Sequence, residues 1–178
     1  MTQTVDEKFE LGVPNGDDRE RRICQTCGFV DYRNPRIVAG SVVTRGDQIL
    51  LCKRAIEPRK GFWTLPAGYM ELGETIEEAA QREAREEACA TIEIDRMLAT
   101  YSIPRIGQVQ VMFRARLASD FEAGPESLDV QLFDWKDIPW SELAFPTVVW
   151  ALTHYAETRG KADFVPYGNP PNTDKVTR

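Results

Sequence analysis

The stretch GYMELGETIEEAAQREAREEACA, residues 68–90, decides how this chain is read. Wound as a helix from near Glu74, at roughly 100° per residue, it gathers Ile76, Ala79 and Ala80 on one side. Glu83 and Glu87 fall in the middle of that apolar side, whereas Glu78, Gln81, Arg82 and Arg85 take the opposite, solvent-facing side. Glu86 lies at the edge of the apolar stripe. Two like charges one turn apart repel, and each one turned toward a core carries a desolvation penalty. A charged surface helix would not hold its carboxylates in this phase. An ion pair from Arg82 to Glu86, four residues on, still leaves Glu83 and Glu87 without partners. A divalent cation is the simplest positive charge to meet them.

The flanks agree with that reading. Trp63-Thr-Leu-Pro-Ala-Gly68 is a short apolar strand ending at a turn, and Gly68 lets a ligand approach the backbone closely. Gly73-Glu74-Thr75 opens the helix, and Glu77 and Glu78 suit the positive end of its dipole. Strand, glycine turn and carboxylate-faced helix together make a site for a hard, oxygen-seeking ion such as Mg²⁺.

These residues resemble the Nudix box, G-x5-E-x7-R-E-U-x-E-E-x-G-U with U aliphatic. Gly68, Glu74, Arg82, Glu83, Ala84, Glu86, Glu87 and Ala90 match it, and Cys89 stands where the pattern has its last glycine. That glycine ends the helix, so the departure bears on the cap and not on a ligand. Beyond the box, Cys27-Gly28, Tyr32-Arg-Asn-Pro35, Leu51-Cys-Lys-Arg54, Gly61 to Gly68, Gly107-Gln108, Pro125-Glu-Ser-Leu128 and Leu143-Ala-Phe-Pro146 are similar to one branch of these hydrolases. That branch carries an N-terminal zinc ribbon and is linked to ADP-ribose and FAD hydrolysis.

The resemblance implies an α/β fold, the Nudix α/β/α sandwich with a mixed sheet and a short N-terminal extension. It implies a Mg²⁺- or Mn²⁺-dependent pyrophosphatase that cleaves a nucleoside diphosphate derivative, ADP-ribose or FAD, to AMP and a phosphorylated moiety. Glu83 and Glu87 are the expected metal ligands, with Glu86 a third and the main-chain oxygen of Ala67 a fourth. Arg82 orients Glu86 or Glu83, and Glu74 supports the loop. The general base of that branch comes from a loop outside the box; Glu126 is the candidate here, with Glu122 behind it. Arg54 is the expected phosphate contact, Gln108 and Gln110 the expected pocket lining, and Tyr32, Tyr101, Phe113 and Phe133 the aromatics considered for stacking. Alternatives are a non-catalytic module that senses a nucleotide sugar, or an enzyme for NADH or nucleoside triphosphates. Sensor modules usually lose box glutamates, and this chain keeps them. Related enzymes often pair as homodimers.

The bulk properties narrow the field. The 178 residues suit one catalytic domain, and 42% hydrophobic residues allow a sizeable core. A formal charge of −6 argues against a generalist nucleic-acid binder. The N-terminus MTQTVDEKFE has no apolar run, and no stretch suits a membrane span, so a cytoplasmic setting is expected. One histidine, His154, leaves no material for a Ser-His-Asp triad and reads as a packing residue. Cys24 and Cys27 form half a zinc knuckle. The second CxxC is missing, since Phe9-Glu-Leu-Gly12 occupies its place, so zinc is doubtful and a metal-free remnant is expected. A thioredoxin-like role lacks its βαβ context.

Residues 1–35 thus form an extension, 36–160 the hydrolase domain and 161–178 a Pro/Gly/Asn-rich tail, expected to be extended or mobile. Within the domain the pattern predicts strands at 37–44, 48–54, 62–65, 91–103, 109–117 and 128–135. The pair 91–103 and 109–117 should run antiparallel. A C-terminal helix is expected at 147–158.

Overall fold

Alternation along two neighbouring strands sets the layers. In the strands Arg36–Arg45 (β4) and Gln48–Arg54 (β5), Val42, Ile49 and Leu51 join one buried cluster, and Val43, Leu50 and Cys52 join another. Successive side chains point to opposite faces of a sheet, so each face needs its own cover. The helix Ile76–Ala88 (α1) covers one face with Ala79, Ala80, Ala84 and Ala88. The helix Pro146–Thr158 (α2) covers the other with Val148, Ala151, Leu152 and Tyr155. The result is a helix–sheet–helix sandwich, described in a computed structural model for residues 8–173. The terminal residues 1–7 and 174–178, which belong to the expected extension and tail, lie outside the described residues.

The chain divides into two units, Met1–Asn34 and Pro35–Arg178. In the first, strands Phe9–Gly12 (β1), Arg21–Cys24 (β2) and Val30–Asp31 (β3) make a small antiparallel sheet in which Phe9 faces Cys24. The Arg22 guanidinium lies over Phe9, Arg21 lies over Tyr32, and Arg21 also pairs with Asp17 at 2.9 Å.

In the second unit the main sheet follows the order β10-β5-β4-β9-β8, with Ile92–Ile103 as β8, Gln108–Leu117 as β9 and Ser127–Phe133 as β10. The long pair β8–β9 is antiparallel as expected, but β9 runs parallel to β4 from Arg36↔Gln108 to Thr44↔Arg116. β4 and β5 form ladder pairs around their hairpin, at Thr44↔Ile49 and Arg45↔Gln48. Beyond it they part, and the segment expected as one strand splits to fill the gap. Trp63–Thr64 (β6) pairs with β5, and Ala67–Tyr69 (β7) pairs with β4. This fork in the sheet is where α1 presents its carboxylates.

Local chemistry fixes both ends of α1. Thr75 is the N-cap: its hydroxyl accepts from Glu78 N at 3.2 Å while Glu78 Oε2 accepts from Thr75 N at 2.7 Å. The helix therefore starts at Ile76, and Glu74 stays outside it. At the other end Cys89 adopts the left-handed conformation, φ 48°, with its N–H bonded to Arg85 O at 3.0 Å and the Ala90 N–H bonded to Ala84 O at 3.1 Å. A glycine would adopt this cap at less strain, which is the physical content of the departure at Cys89. Thr75→Ala should lower unfolding free energy by about 1 kcal/mol, read by urea denaturation at unchanged cooperativity.

The tail is extended but fastened. Tyr167 N bonds to Leu98 O and Thr100 N to Tyr167 O, both at 2.9 Å, and Asn169 Nδ2 reaches Ser102 O at 2.8 Å. Tyr167 stacks on His154 with centroids 4.2 Å apart, and His154 Nδ1 meets the Tyr101 hydroxyl at 2.7 Å. The single histidine is thus a packing residue, and burial lowers its pKa. No helix among the described residues is long and apolar enough to cross a membrane.

Candidate active site

α1 turns Glu83 and Glu87 inward, leaving them 8% and 6% exposed, while Glu86 stays in solvent. Glu87 Oε2 accepts one hydrogen bond, from Ala67 N at 3.2 Å. Burial lifts the Glu87 carboxyl from 4.5 to about 8. The Glu83 and Glu126 charges add to the lift, and the Ala67 N–H and the Arg54 charge oppose it. Burial raises Glu83 as well, with Arg82 opposing. A Cβ built on Gly68 would land on the Glu83 carboxylate, so this position needs glycine for close approach.

Arg82 departs from its expected place on the solvent side. It folds back under the 69–75 loop, where Glu74 takes two of its donors at 3.0 and 2.8 Å and Tyr69 O a third at 2.8 Å. Its Nη1 reaches Glu83 Oε1 at 2.7 Å and Glu86 Oε2 at 3.0 Å. Glu83 is therefore not left without a partner, contrary to the helical-wheel reading. The guanidinium fork spans two carboxylates and a loop at once because its donors are rigid and planar. It also holds Glu74 down to about 2. In this arrangement Arg82 ties up Glu83 and Glu86, and among the described residues no three His, Cys, Asp or Glu side chains converge as around a metal.

The loop between β9 and β10 brings Glu126 to the same place. Glu122 N bonds to Ala88 O at 3.0 Å and Gly124 N to Glu87 O at 3.1 Å, capping the last carbonyls of α1. Glu126 follows, exposed, with its main-chain oxygen held by Ala55 N at 2.8 Å. A cavity of about 640 Å³ opens here, a size that suits a small-molecule ligand. Arg54, Glu83, Glu86, Glu87 and Glu126 line its polar wall. Arg54 is fixed by its Nε bond to Pro58 O at 2.8 Å and by Phe145, over whose ring it lies.

Gln108 and Gln110 also line the cavity, linked as Gln110 Nε2 to Gln108 Oε1 at 3.1 Å and Gln108 Nε2 to the Tyr69 hydroxyl at 2.9 Å. Tyr32 belongs to the N-terminal unit, where the Arg21 guanidinium lies over its ring. Tyr101 and Phe113 are buried, and Phe133 packs edge-on against Trp63, so these aromatics serve the core. Glu122 is outside the lining, and its backbone does the capping. Sequence reasoning missed Tyr69, Arg105 and Phe145, which line the cavity. Tyr69 had one local signal, its place directly after Gly68.

The family model for the NUDIX domain matches residues 34–152, well over half the chain. The chain belongs to the Nudix family. Residues 7–33 match a second model, the zinc-ribbon Nudix N-terminal. A crystal structure of a NUDIX hydrolase from Nitrosomonas europaea is 43% identical, with a TM-score of 0.84 over 90% of this chain and 93% of that one. An ADP-ribose pyrophosphatase of Methanocaldococcus jannaschii is 32% identical over 119 residues, 64% of this chain and 69% of that protein. The NAD-capped RNA hydrolase NudC of Haemophilus influenzae is 35% identical over 130 residues; these cover 67% of this chain but only 47% of NudC. The mixed sheet between two helices is the Nudix sandwich, and the box maps onto Gly68 in strand β7, where a turn was expected, onto the Glu74 loop and onto α1.

Proposed function

We propose that this Nudix chain hydrolyses the diphosphate bond of a nucleoside diphosphate derivative, ADP-ribose or FAD, releasing AMP and a phosphorylated moiety. The observation that carries the reading is the buried pair Glu83 and Glu87 on one wall of a ligand-sized cavity, with Arg54 and Glu126 beside it. Two inward carboxylates whose pKa values are raised by burial form a donor set that fits a hard divalent cation, and the bare Gly68 lets the Glu83 carboxylate lie directly against the β7 backbone. Glu83, Glu87, Glu86 and the Ala67 carbonyl would hold Mg²⁺ or Mn²⁺. Such an ion, when bound, neutralises phosphate oxygens and makes water a better nucleophile near neutral pH.

The chain's own residues supply the rest. Arg54 meets the diphosphate with the donors that Pro58 O leaves free. Arg82 fixes the rotamers of Glu83 and Glu86. Glu126, exposed at the cavity edge, takes the proton of the attacking water. Gln108 and Gln110 hydrogen-bond the far moiety of the substrate. The name of the Methanocaldococcus jannaschii relative supports ADP-ribose, and the formal charge of −6 favours a small nucleotide over a polynucleotide.

The test is a panel of ADP-ribose, FAD, NADH and nucleoside triphosphates with Mg²⁺, read as AMP release. Tight binding of a nucleotide sugar with no turnover of any substrate would favour the sensor reading. Glu126→Gln should lower kcat by about 10²–10⁴-fold, the range of general-base catalysis, with KM changed little. A Glu126→Gln variant that keeps the full rate would move the base elsewhere.

A further inference from the structure

The hydrolytic site leaves the cysteine pair of the N-terminal unit without a task. Cys24 ends β2, and Cys27 lies in the turn that follows. Gly28 N bonds to Cys24 O and Cys24 N to Phe29 O, both at 2.8 Å, so the turn is closed from both sides. The Thr26 and Cys27 amides and the Cys27 thiol neighbour the Cys24 sulfur across this closed turn. Backbone amides that converge on a sulfur favour its thiolate, and they hold the Cys24 thiol below its ordinary pKa.

A structural zinc wants four ligands. Here Phe9 faces Cys24 from β1, and among the described residues no third His, Cys, Asp or Glu joins the two sulfurs. Cys52 is buried in the main sheet, and Cys89 sits exposed at the end of α1. The pair is thus two adjacent thiols, one exposed and one half-buried.

We propose that Cys24 and Cys27 form a reversible intramolecular disulfide by exchange with small-molecule disulfides of the glutathione class. The Cys24 thiolate attacks one sulfur of the disulfide and expels one thiolate, leaving a mixed disulfide on Cys24. The Cys27 thiolate then attacks the Cys24 sulfur and expels the second. One small-molecule disulfide is reduced to two thiols while the chain loses two hydrogens. This is a modification site in a β ribbon, distinct from the βαβ setting of a thioredoxin-like oxidoreductase, and it uses no residue of the hydrolytic cavity.

The test uses the full chain, reduced, freed of reductant and incubated with oxidised glutathione in the presence of a chelator. Mass spectrometry should show the loss of two hydrogens per chain and a Cys24–Cys27 linkage in the peptide map, both reversed by dithiothreitol. Cys27→Ser, at an exposed position, should stop at glutathione on Cys24. Two results would overturn the proposal. One is a pair that stays fully alkylatable while Cys89 is glutathionylated. The other is a purified chain carrying about one zinc per two chains with both thiols shielded until chelation, which assigns the pair to a four-cysteine site shared between copies.

Discussion

Glu87→Gln is expected to reduce diphosphate hydrolysis by about 10³-fold while making the metal-free protein more stable at alkaline pH. The rate effect follows from losing one of the two buried carboxylates proposed to hold the metal, each supporting several kcal/mol of charge stabilisation, at about 1.36 kcal/mol per factor of ten. The stability effect follows from burial. The Glu87 carboxyl titrates near 4.5 in an unfolded chain and is pushed up to about 8 in the fold. A raised carboxyl pKa means that the fold binds a proton which the unfolded chain has released. The contribution is fully present below pH 4.5 and is lost as pH rises through about 8. Glutamine keeps the acceptor for the Ala67 N–H and never ionises.

Thermal melts in chelator should therefore nearly coincide at about pH 5 and separate at about pH 9, with the Glu87→Gln chain more stable by on the order of a few kcal/mol. Added Mg²⁺ should raise the melting temperature of the wild type and leave the variant almost unmoved. Equal melts at the alkaline pH would show that this carboxylate is not desolvated as described, and the cation site would lose its footing.

Much of this site was legible because its signals are local. A 100° period alone places Glu83 and Glu87 among Ala79, Ala80 and Ala84, and all five are buried. The helix start, expected near Glu74, lies at Ile76, because the reciprocal Thr75–Glu78 cap sets it. What escaped depends on chain segments that are distant in sequence. Nothing near Leu65-Pro66 signals that β4 and β5 will part, because the split is set by where β6 and β7 find unpaired edges. The parallel pairing of β4 with β9 has no turn to announce it. Arg82 looks solvated on a helical wheel and is drawn inward only because Glu74 and Tyr69 arrive over it. Tyr167 sits in a stretch whose composition suggests a loose tail, yet its ring finds His154 and its backbone finds β8.

Gly124→Ala is expected to be the most damaging conservative change outside the box. Gly124 is buried, and its N–H caps Glu87 O at 3.1 Å. A Cβ there would overlap the Glu86 carbonyl oxygen and lie 2.8 Å from its carbon. Those atoms belong to the α1 backbone, fixed by the helix ladder, so they cannot give way as a flexible side chain would. The loop must lift instead, uncapping the Glu87 and Ala88 carbonyls and carrying Glu126, two residues on, away from Glu83 and Glu87. Overpacking and lost capping bonds together should lower unfolding free energy by about 2–4 kcal/mol in urea titrations. Turnover should fall even at temperatures where the variant is fully folded, because the displaced residue is the proposed base. Since the proposed metal donors on α1 keep their places, the apparent affinity for Mg²⁺ should change less than kcat. A Gly124→Ala chain with wild-type midpoint and rate would mean that the loop does not dock on the helix end, and the placement of Glu126 would go with it.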